Sequence, residues 1–455
     1  AEKDAARQAL LVAATAATVP GLAAQLDKPE TFFDNACFLL ESLKLPEADA
    51  ALADALGRTS GREQAALLDT LARRRSPLAK TIALRLSAES ADPVRSAALR
   101  YLYAAPPPDG CLSAESIENL DPRAADAALT GAERLAAKKP GEAAACYAAL
   151  YANANLPDHV RLAAYCGLLR TDPGNAAARL AEGLSHASPL WRGTAARLAA
   201  ELPDKTLKKL GMKLMAALPP QSRLDLIGAL VAAKKRAGAP LLRAALADVN
   251  DAQARLAAAA GLGDLGDGDD APALIALLDQ PDAAIADAAR VSLAKLADTD
   301  TDDEIASALK RNRLKTAAGR VRLLDVARLR NIRAAARCLP AYLSDADAAV
   351  RAAALQAAAT LAGEREIAAV FDAACRASQR TEKRAAEQAL FALSRNYPAA
   401  SADAVRALLA NAKPDSRRLL LQALGISGSP KGLDAVVASL KDADPDVADD
   451  ALRVL

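Results

Sequence analysis

The chain has 455 residues, 52% of them apolar and 25% charged, and a formal net charge of +2. That balance excludes a disordered or membrane-embedded chain, and a surface built as a whole to hold nucleic acid. Alanine dominates the apolar share, while aromatics make up 3%. Alanine is the best helix former and lets helices approach closely. β-Branched residues are sparse and no stretch alternates apolar with polar, so the chain reads as all-α.

In chain order, the first segment is ALLVAATAATVPGLAAQ at 9–25, preceded by Glu2, Asp4 and Arg7. It reads as a first structural helix rather than a signal-peptide core. The chain opens on Ala instead of Met. An exported or periplasmic form is therefore one expectation and a cytoplasmic protein the alternative. No stretch of about 18 uncharged apolar residues occurs, so no membrane span is expected.

Helix-start signals then recur at Ser76-Pro77, Asp92-Pro93, Asp121-Pro122, Asp172-Pro173, Ser188-Pro189, Ser429-Pro430 and Asp444-Pro445. Aspartate or serine accepts from the open N–H groups of a helix start, and proline suits the first helical position. An arginine follows most starts, at Arg62, Arg95, Arg161, Arg192, Arg223, Arg255, Arg320, Arg351, Arg384 and Arg417. The steps are 31–33 residues or about twice that, with Ala125 and Ala286 in the skipped places. Such a period marks a stacked array of helix pairs, because neither helix of a pair can bury its apolar face alone. Each unit reads as an apolar helix such as QARLAAAAGLG, closed by glycine, then a polar loop and a returning helix such as APALIALLDQ. The glycines are expected to end helices in the left-handed conformation and the aspartates to cap the next helix.

The clearest copies are ADPVRSAALRYL, LPDHVRLAAYCGLL, NDAQARLAAAAGLGDLGD, DADAAVRAAALQAAATLA and DPDVADDALRVL. They resemble HEAT repeats, in the short bacterial form similar to the phycobilin-lyase HEAT-like class. The resemblance covers most of the chain and implies an armadillo-like α-solenoid of roughly 13–14 stacked antiparallel helix pairs. It also implies that a loop aspartate and the arginine after it join one repeat to the next; Asp92 with Arg95, Asp158 with Arg161 and Asp347 with Arg351 match those positions. The expected organisation is N-terminal repeats at 1–105, a Pro-rich break at 106–113, and a continuing array at 114–455 that stops one helix into its last unit. The loop in TDPGNAAARL also resembles a tetratricopeptide turn, but the period and the missing aromatic signature argue against that family.

Few residues suggest chemistry. His159 and His186 lie at helix starts and read as loop or cap residues. There is no Walker loop or nucleophile elbow, and GLGDLGDGDD follows a helix instead of a strand. The acids Asp264, Asp267, Asp269 and Asp270, and again Asp298, Asp300, Asp302, Asp303 and Glu304, invite a calcium reading. The second set opens like an EF-hand but has Asp303 in place of glycine and Leu309 in place of glutamate. Capping and the helix dipole account for such acids without a metal. The cysteines at 37, 111, 146, 166, 338 and 375 are scattered and read as buried thiols, with a Cys146–Cys166 bridge as the alternative. No catalytic set, cofactor or metal site is expected.

Residues 310–337, KRNRLKTAAGRVRLLDVARLRNIRAAAR, hold ten Lys or Arg and one acid, Asp325. Arg322, Arg330, Arg333 and Arg337 share one stripe if the helix is continuous, and with Arg311, Arg313 and Arg320 they could hold a polyanion. The alternative is a solvated face, or pairing with the acids at 298–304. Tyr101, Tyr103, Tyr147, Tyr151, Tyr165 and Trp191 cluster between 101 and 191. Tyr147, Tyr151 and Trp191 either line a protein-binding patch or fill gaps in an alanine-rich core. The functional expectation is a non-catalytic scaffold that binds a protein partner on a concave surface. Polyanion binding through 310–337 is the alternative, and a lyase-like enzyme has no residue to support it.

Overall fold

The computed structural model describes residues 2–28, 31–89, 92–104 and 122–455. Among the described residues all regular structure is α- or 3₁₀-helix. They form two compact units, Ala1–Glu182 and Gly183–Leu455. The Pro-rich break at 106–113 and the Asp121 helix start lie outside the described residues.

In the second unit one layer consists of Pro189–Glu201, Pro220–Ala232, Ala252–Leu265, Ala283–Lys295, Ala317–Leu329, Ala348–Leu361, Arg380–Asn396, Pro414–Ser427 and Pro445–Val454, each packed on the next. Their starts fall 31–34 residues apart. The intervening segments, among them Asp204–Ala217, Ala239–Ala247, Thr299–Lys310 and Ile367–Arg376, form the second layer. The first unit repeats the plan. Thr31–Ser42, Gly61–Arg73, Val94–Ala104, Pro122–Ala136 and Asp158–Thr171 make one layer, with Pro46–Leu56, Lys80–Glu89 and Pro140–Ala152 against it. Within each unit the described residues adopt the all-α stack of HEAT-like helix pairs read from the sequence.

The core explains the composition. Ala254, Ala258, Ala259, Ala286 and Ala289 are fully buried between adjacent helices, where a larger side chain would hold the axes apart. Leu262, Leu274, Leu278 and Leu293 fill the space between the layers. Each such leucine contributes on the order of 2 kcal/mol by leaving water.

Several local expectations are corrected. Residues 9–25 are not one helix: Glu2–Ala13 ends, a 3₁₀ turn covers Ala16–Thr18, and Val19–Ala23 begins again. Thr15 is extended (φ −122°, ψ 173°), and Pro20, near the start of the new helix, has no N–H with which to continue an old one. Ser188-Pro189 and Asp444-Pro445 start helices as expected, and the Asp444 carboxylate accepts from the Asp446 N–H at 3.0 Å. Ser76-Pro77 and Asp172-Pro173 do not, because both belong to the end of the helix before. Ser76 N–H donates to Leu71 O and its carbonyl accepts from the Tyr101 hydroxyl at 2.5 Å, so the next helix waits until Lys80. Asp172 is a C-cap, and the helix after it starts at Ala176.

The glycines of GLGDLGDGDD also do something other than end a helix. Gly261 and Gly263 lie inside Ala252–Leu265. A Cβ on Gly263 would stand 2.8 Å from Ser292 Cα, and one on Gly261 would stand 2.7 Å from Leu242. They are the places where neighbouring helices touch backbone. Left-handed helix ends are supplied by Arg75, Lys234, Asn312, Asn331 and Gly428. The aspartates do cap: Asp267 and Asp270 form a reciprocal capping box.

The repeat arginine joins repeats by a different pairing from the one the resemblance implied. Asp347 accepts from Ala349 N–H, and Arg351 instead donates to the Asp345 and Ala346 carbonyls at 2.8 and 3.0 Å and to Glu382 at 2.6 Å. Arg192 likewise binds the His186 and Ala187 carbonyls and Asp225. Arg223 binds Leu218 O, Asp248 and Asp251. Each arginine thus ties the loop before its own helix to an acid of the following repeat. Asp92 takes the Ser96 hydroxyl at 2.6 Å, and Asp158 meets Arg161 only at 3.8 Å within its own helix.

Candidate functional site: two grooves on the second unit

The first groove lies across Ala283–Lys295, Ala317–Leu329 and Ala348–Leu361 and encloses about 500 Å³. Its apolar lining is Ala317, Ala318, Val321, Ala349 and Ala353. Short side chains at the contact between helices leave the hollow. Around it stand Arg290, Arg322 and Arg328 with Asp287, Asp325 and Asp347, a balanced set. Asp325 bridges Arg290 at 2.8 Å and Arg328 at 2.6 Å, while Arg322 meets Asp287 at 3.0 Å and the Leu278 carbonyl at 3.2 Å. The groove is polar at its rim, apolar within, and electrically neutral.

This arrangement accounts for most of the basic segment. The Ala317–Leu329 helix stops at Arg330, and Asn331 turns left-handed at φ 55°, so the stripe of Arg322, Arg330, Arg333 and Arg337 does not form. Arg333 and Arg337 lie instead on a separate 3₁₀ segment, Arg333–Cys338. Arg330 is buried to 9% exposure and clamps the preceding repeat through Asp302 at 2.5 Å and the carbonyls of Leu293, Leu296 and Asp298. Those carbonyls close the Ala283–Lys295 helix and the turn after it, where a cation also meets the negative end of the dipole. Arg74 does the same in the first unit, reaching Asp49 and the carbonyls of Leu40, Glu41, Leu43 and Leu45. Arg313 pairs with Glu304, and Arg320 with Asp345 at 3.0 Å. Arg311, Arg333 and Arg337 are exposed and make no side-chain ion pair or hydrogen bond among the described residues.

The second groove lies between Arg380–Asn396 and Pro414–Ser427, beside the end of Ile367–Arg376, and encloses about 1060 Å³. Six cations line it: Arg376, Arg380, Lys383, Arg384, Lys413 and Arg418. Glu387 and Asp415 are the acids of its lining. Arg376 meets Asp372 at 2.8 Å, Lys383 meets Asp415 at 3.3 Å, and Arg418 meets Asp450 at 2.8 Å. Arg380, Arg384 and Lys413 are exposed and have no ion pair among the described residues. In the Arg380–Asn396 helix that borders this groove, Glu382 is 2% exposed. Burial alone would raise its carboxyl, but the Arg351 guanidinium and the N–H groups of Gln379 and Ser378 outweigh that and hold it below the ordinary 4.5. Sequence reasoning passed over this groove. Apart from Arg376, its cations come from RTEKR and KPDSRR, two runs that look ordinary until the repeat sets them side by side.

The remaining expected residues are structural in setting. Trp191 is 1% exposed and stacks on His186 at 4.8 Å, while His186 Nδ1 accepts from the Ser188 N–H. Tyr147 is buried against Gly167, and burial pushes its hydroxyl up to about 12. Tyr151 is half-buried beside Tyr165 and donates to Glu182 at 2.5 Å. Tyr147 and Trp191 therefore fill the core, and Tyr151 keeps part of its ring at the surface. The acids of the calcium reading are engaged elsewhere: Asp267 and Asp270 hold Arg243, Asp264 meets Lys295 and Asp298 caps a helix. Among the described residues no group of three or more His, Cys, Asp or Glu is placed to share a metal ion. Cys146 and Cys166 are not joined by a disulfide, and Cys111 lies outside the described residues. No described helix is long and apolar enough to cross a membrane.

No family model matches the chain, and no curated protein is significantly similar to it. Among solved structures it is similar to the karyopherin Kap121p bound to the extreme C-terminus of the protein phosphatase Cdc14p, with 14% identity and a TM-score of 0.45. That match covers 94% of this chain and 55% of Kap121p, so the chain spans about half the karyopherin's length. Kap95p, from a structure with RanGDP, shows 12% identity over 99% of this chain and 74% of its own, at a TM-score of 0.40. Human deoxyhypusine hydroxylase shows 19% identity over 62% of this chain and 94% of its own, at a TM-score of 0.24. Likeness at this level says nothing about partner or chemistry.

Proposed function

We propose that the chain is a non-catalytic scaffold that binds a protein partner on the first-layer helices of its second unit. The observation that carries this reading is the neutral groove at 287–356. Its apolar lining is preformed, and its ions are already held by one another at 2.6–3.0 Å. A protein surface can exchange hydrogen bonds with such a rim and bury apolar area within it, at little cost in ordering. A polyanion would find its cations already neutralised. The test is a photo-crosslinking residue at Gln356 in the intact protein, with and without Ala318→Tyr and Ala349→Tyr to fill the groove. Crosslinks to one protein that vanish in the filled variant support the scaffold. Crosslinks indifferent to filling remove it.

A second reading, polyanion binding through 310–337, rests on Arg311, Arg333 and Arg337, the members of that set left exposed without a charged partner. Binding of a labelled acidic polysaccharide, lost when those three become Glu, would favour it.

A further inference from the structure

We propose that the groove between Arg380–Asn396 and Pro414–Ser427 is a docking site for a short acidic peptide segment of a partner protein. The site is distinct from the neutral groove and does not rest on it. Three features converge. The lining carries six cations against two acids within about 1060 Å³, although the chain as a whole is nearly neutral. Arg380, Arg384 and Lys413 face it without counter-ions among the described residues, so their charge is available to a ligand. Arg380 and Arg384 are four residues apart on one helix face, and Lys413 precedes the next helix of the layer. Lys413 offers no side-chain acceptor at that helix start, where Pro414 has no N–H and Asp415 and Ser416 supply the first ones.

The same lining argues against nucleic acid. No aromatic side chain is present on which a base could stack, and Glu387 and Asp415 would oppose a continuous run of phosphates. The basic track is also short. On one side Arg351 is taken by Glu382, and on the other Arg417 is taken by Asp442. A peptide with two or three carboxylates matches this length, and Gln422 in the lining can meet its main chain.

The test is fluorescence anisotropy on the full chain with a labelled 12-residue glutamate-rich peptide, its glutamine counterpart, and a 12-nucleotide dT strand. The acidic peptide is expected to bind with affinity that falls as salt rises. Binding should weaken at least tenfold in the triple variant Arg380→Glu, Arg384→Glu, Lys413→Glu. The triple glutamine variant should lose part of it with an unchanged melting temperature, which separates loss of charge from loss of fold. The variant with the neutral groove filled should bind the peptide like the unaltered chain. Equal binding of the glutamine peptide, tighter binding of dT, no peptide binding, or no loss in the triple variants overturns the proposal.

Discussion

The two grooves of the second unit are built from the same kind of helix on successive repeats, yet one is neutral and the other basic. The neutral one borders the most basic stretch of the sequence. There Asp287, Asp302, Asp325 and Asp345 return carboxylates to Arg290, Arg320, Arg322, Arg328 and Arg330, and Arg311, Arg333 and Arg337 stay exposed outside the groove. The basic one draws on two unremarkable runs and Arg376, and its acids Asp372, Asp415 and Asp450 meet Arg376, Lys383 and Arg418 but leave Arg380, Arg384 and Lys413. Charge on a repeat surface is therefore set between repeats. A cation is silent when the neighbouring repeat places an acid opposite it, and active when it does not.

The sharpest way to break this comparison is Arg330→Ala. If the arginine is a clamp, the variant loses about 3 kcal/mol, because a buried cation and its several acceptors are parted. Hydrogen exchange over 283–310 should accelerate while polyanion binding stays as it was. Loss of polyanion binding with unchanged exchange would restore the basic segment as a site.

Glu382→Gln comes next, at about 2 kcal/mol at neutral pH, since it removes a buried charge-assisted hydrogen bond. The carboxyl's pKa is depressed in the folded state, so its stabilisation is present above 4.5 and is lost as pH falls through the lower folded value. Chemical denaturation between pH 6 and about 3 should therefore show the unaltered chain losing more stability than Glu382→Gln.

A gain of function sharpens the comparison from the other side. Asp287→Asn with Asp325→Asn leaves Arg290, Arg322 and Arg328 without their carboxylates and should make the neutral groove bind the acidic peptide. About a tenfold gain in affinity in the anisotropy assay is expected, with a stability cost near 1 kcal/mol. If no gain follows, the pairing is not what silences that groove. The smallest effect belongs to Lys383→Gln. Its pair with Asp415 is exposed on both sides, and thermal unfolding should move by less than about 0.5 kcal/mol.

Some of this was legible from residue types. Capping pairs such as Ser188-Pro189 and Asp444-Pro445, and arginines returning at a fixed interval, identify a stacked helical array because both signals are local to one helix start. The candidate site was far less legible. The stripe through Arg322, Arg330, Arg333 and Arg337 assumed a helix that continues, and Asn331 ends it. Tyr147 and Trp191 looked like binding anchors in the sequence, and the packing around them decided otherwise. Gly261 and Gly263 looked like helix ends because a glycine that admits a neighbouring helix is written like one that ends a helix.

By itself, the sequence determined that the chain is all-α, that its unit is a helix pair of little more than 30 residues, and that alanine packs the helices closely. These follow from propensity, capping and periodicity, which act over a few residues. Only the tertiary structure decided which charges remain available. Arg330 meets Asp302 and Arg322 meets Asp287 across 28 and 35 residues of chain, whereas no acid comes within ion-pair distance of Arg384 or Lys413 among the described residues. Electrostatic attraction depends on distance in space, and stacking one repeat on the next sets that distance.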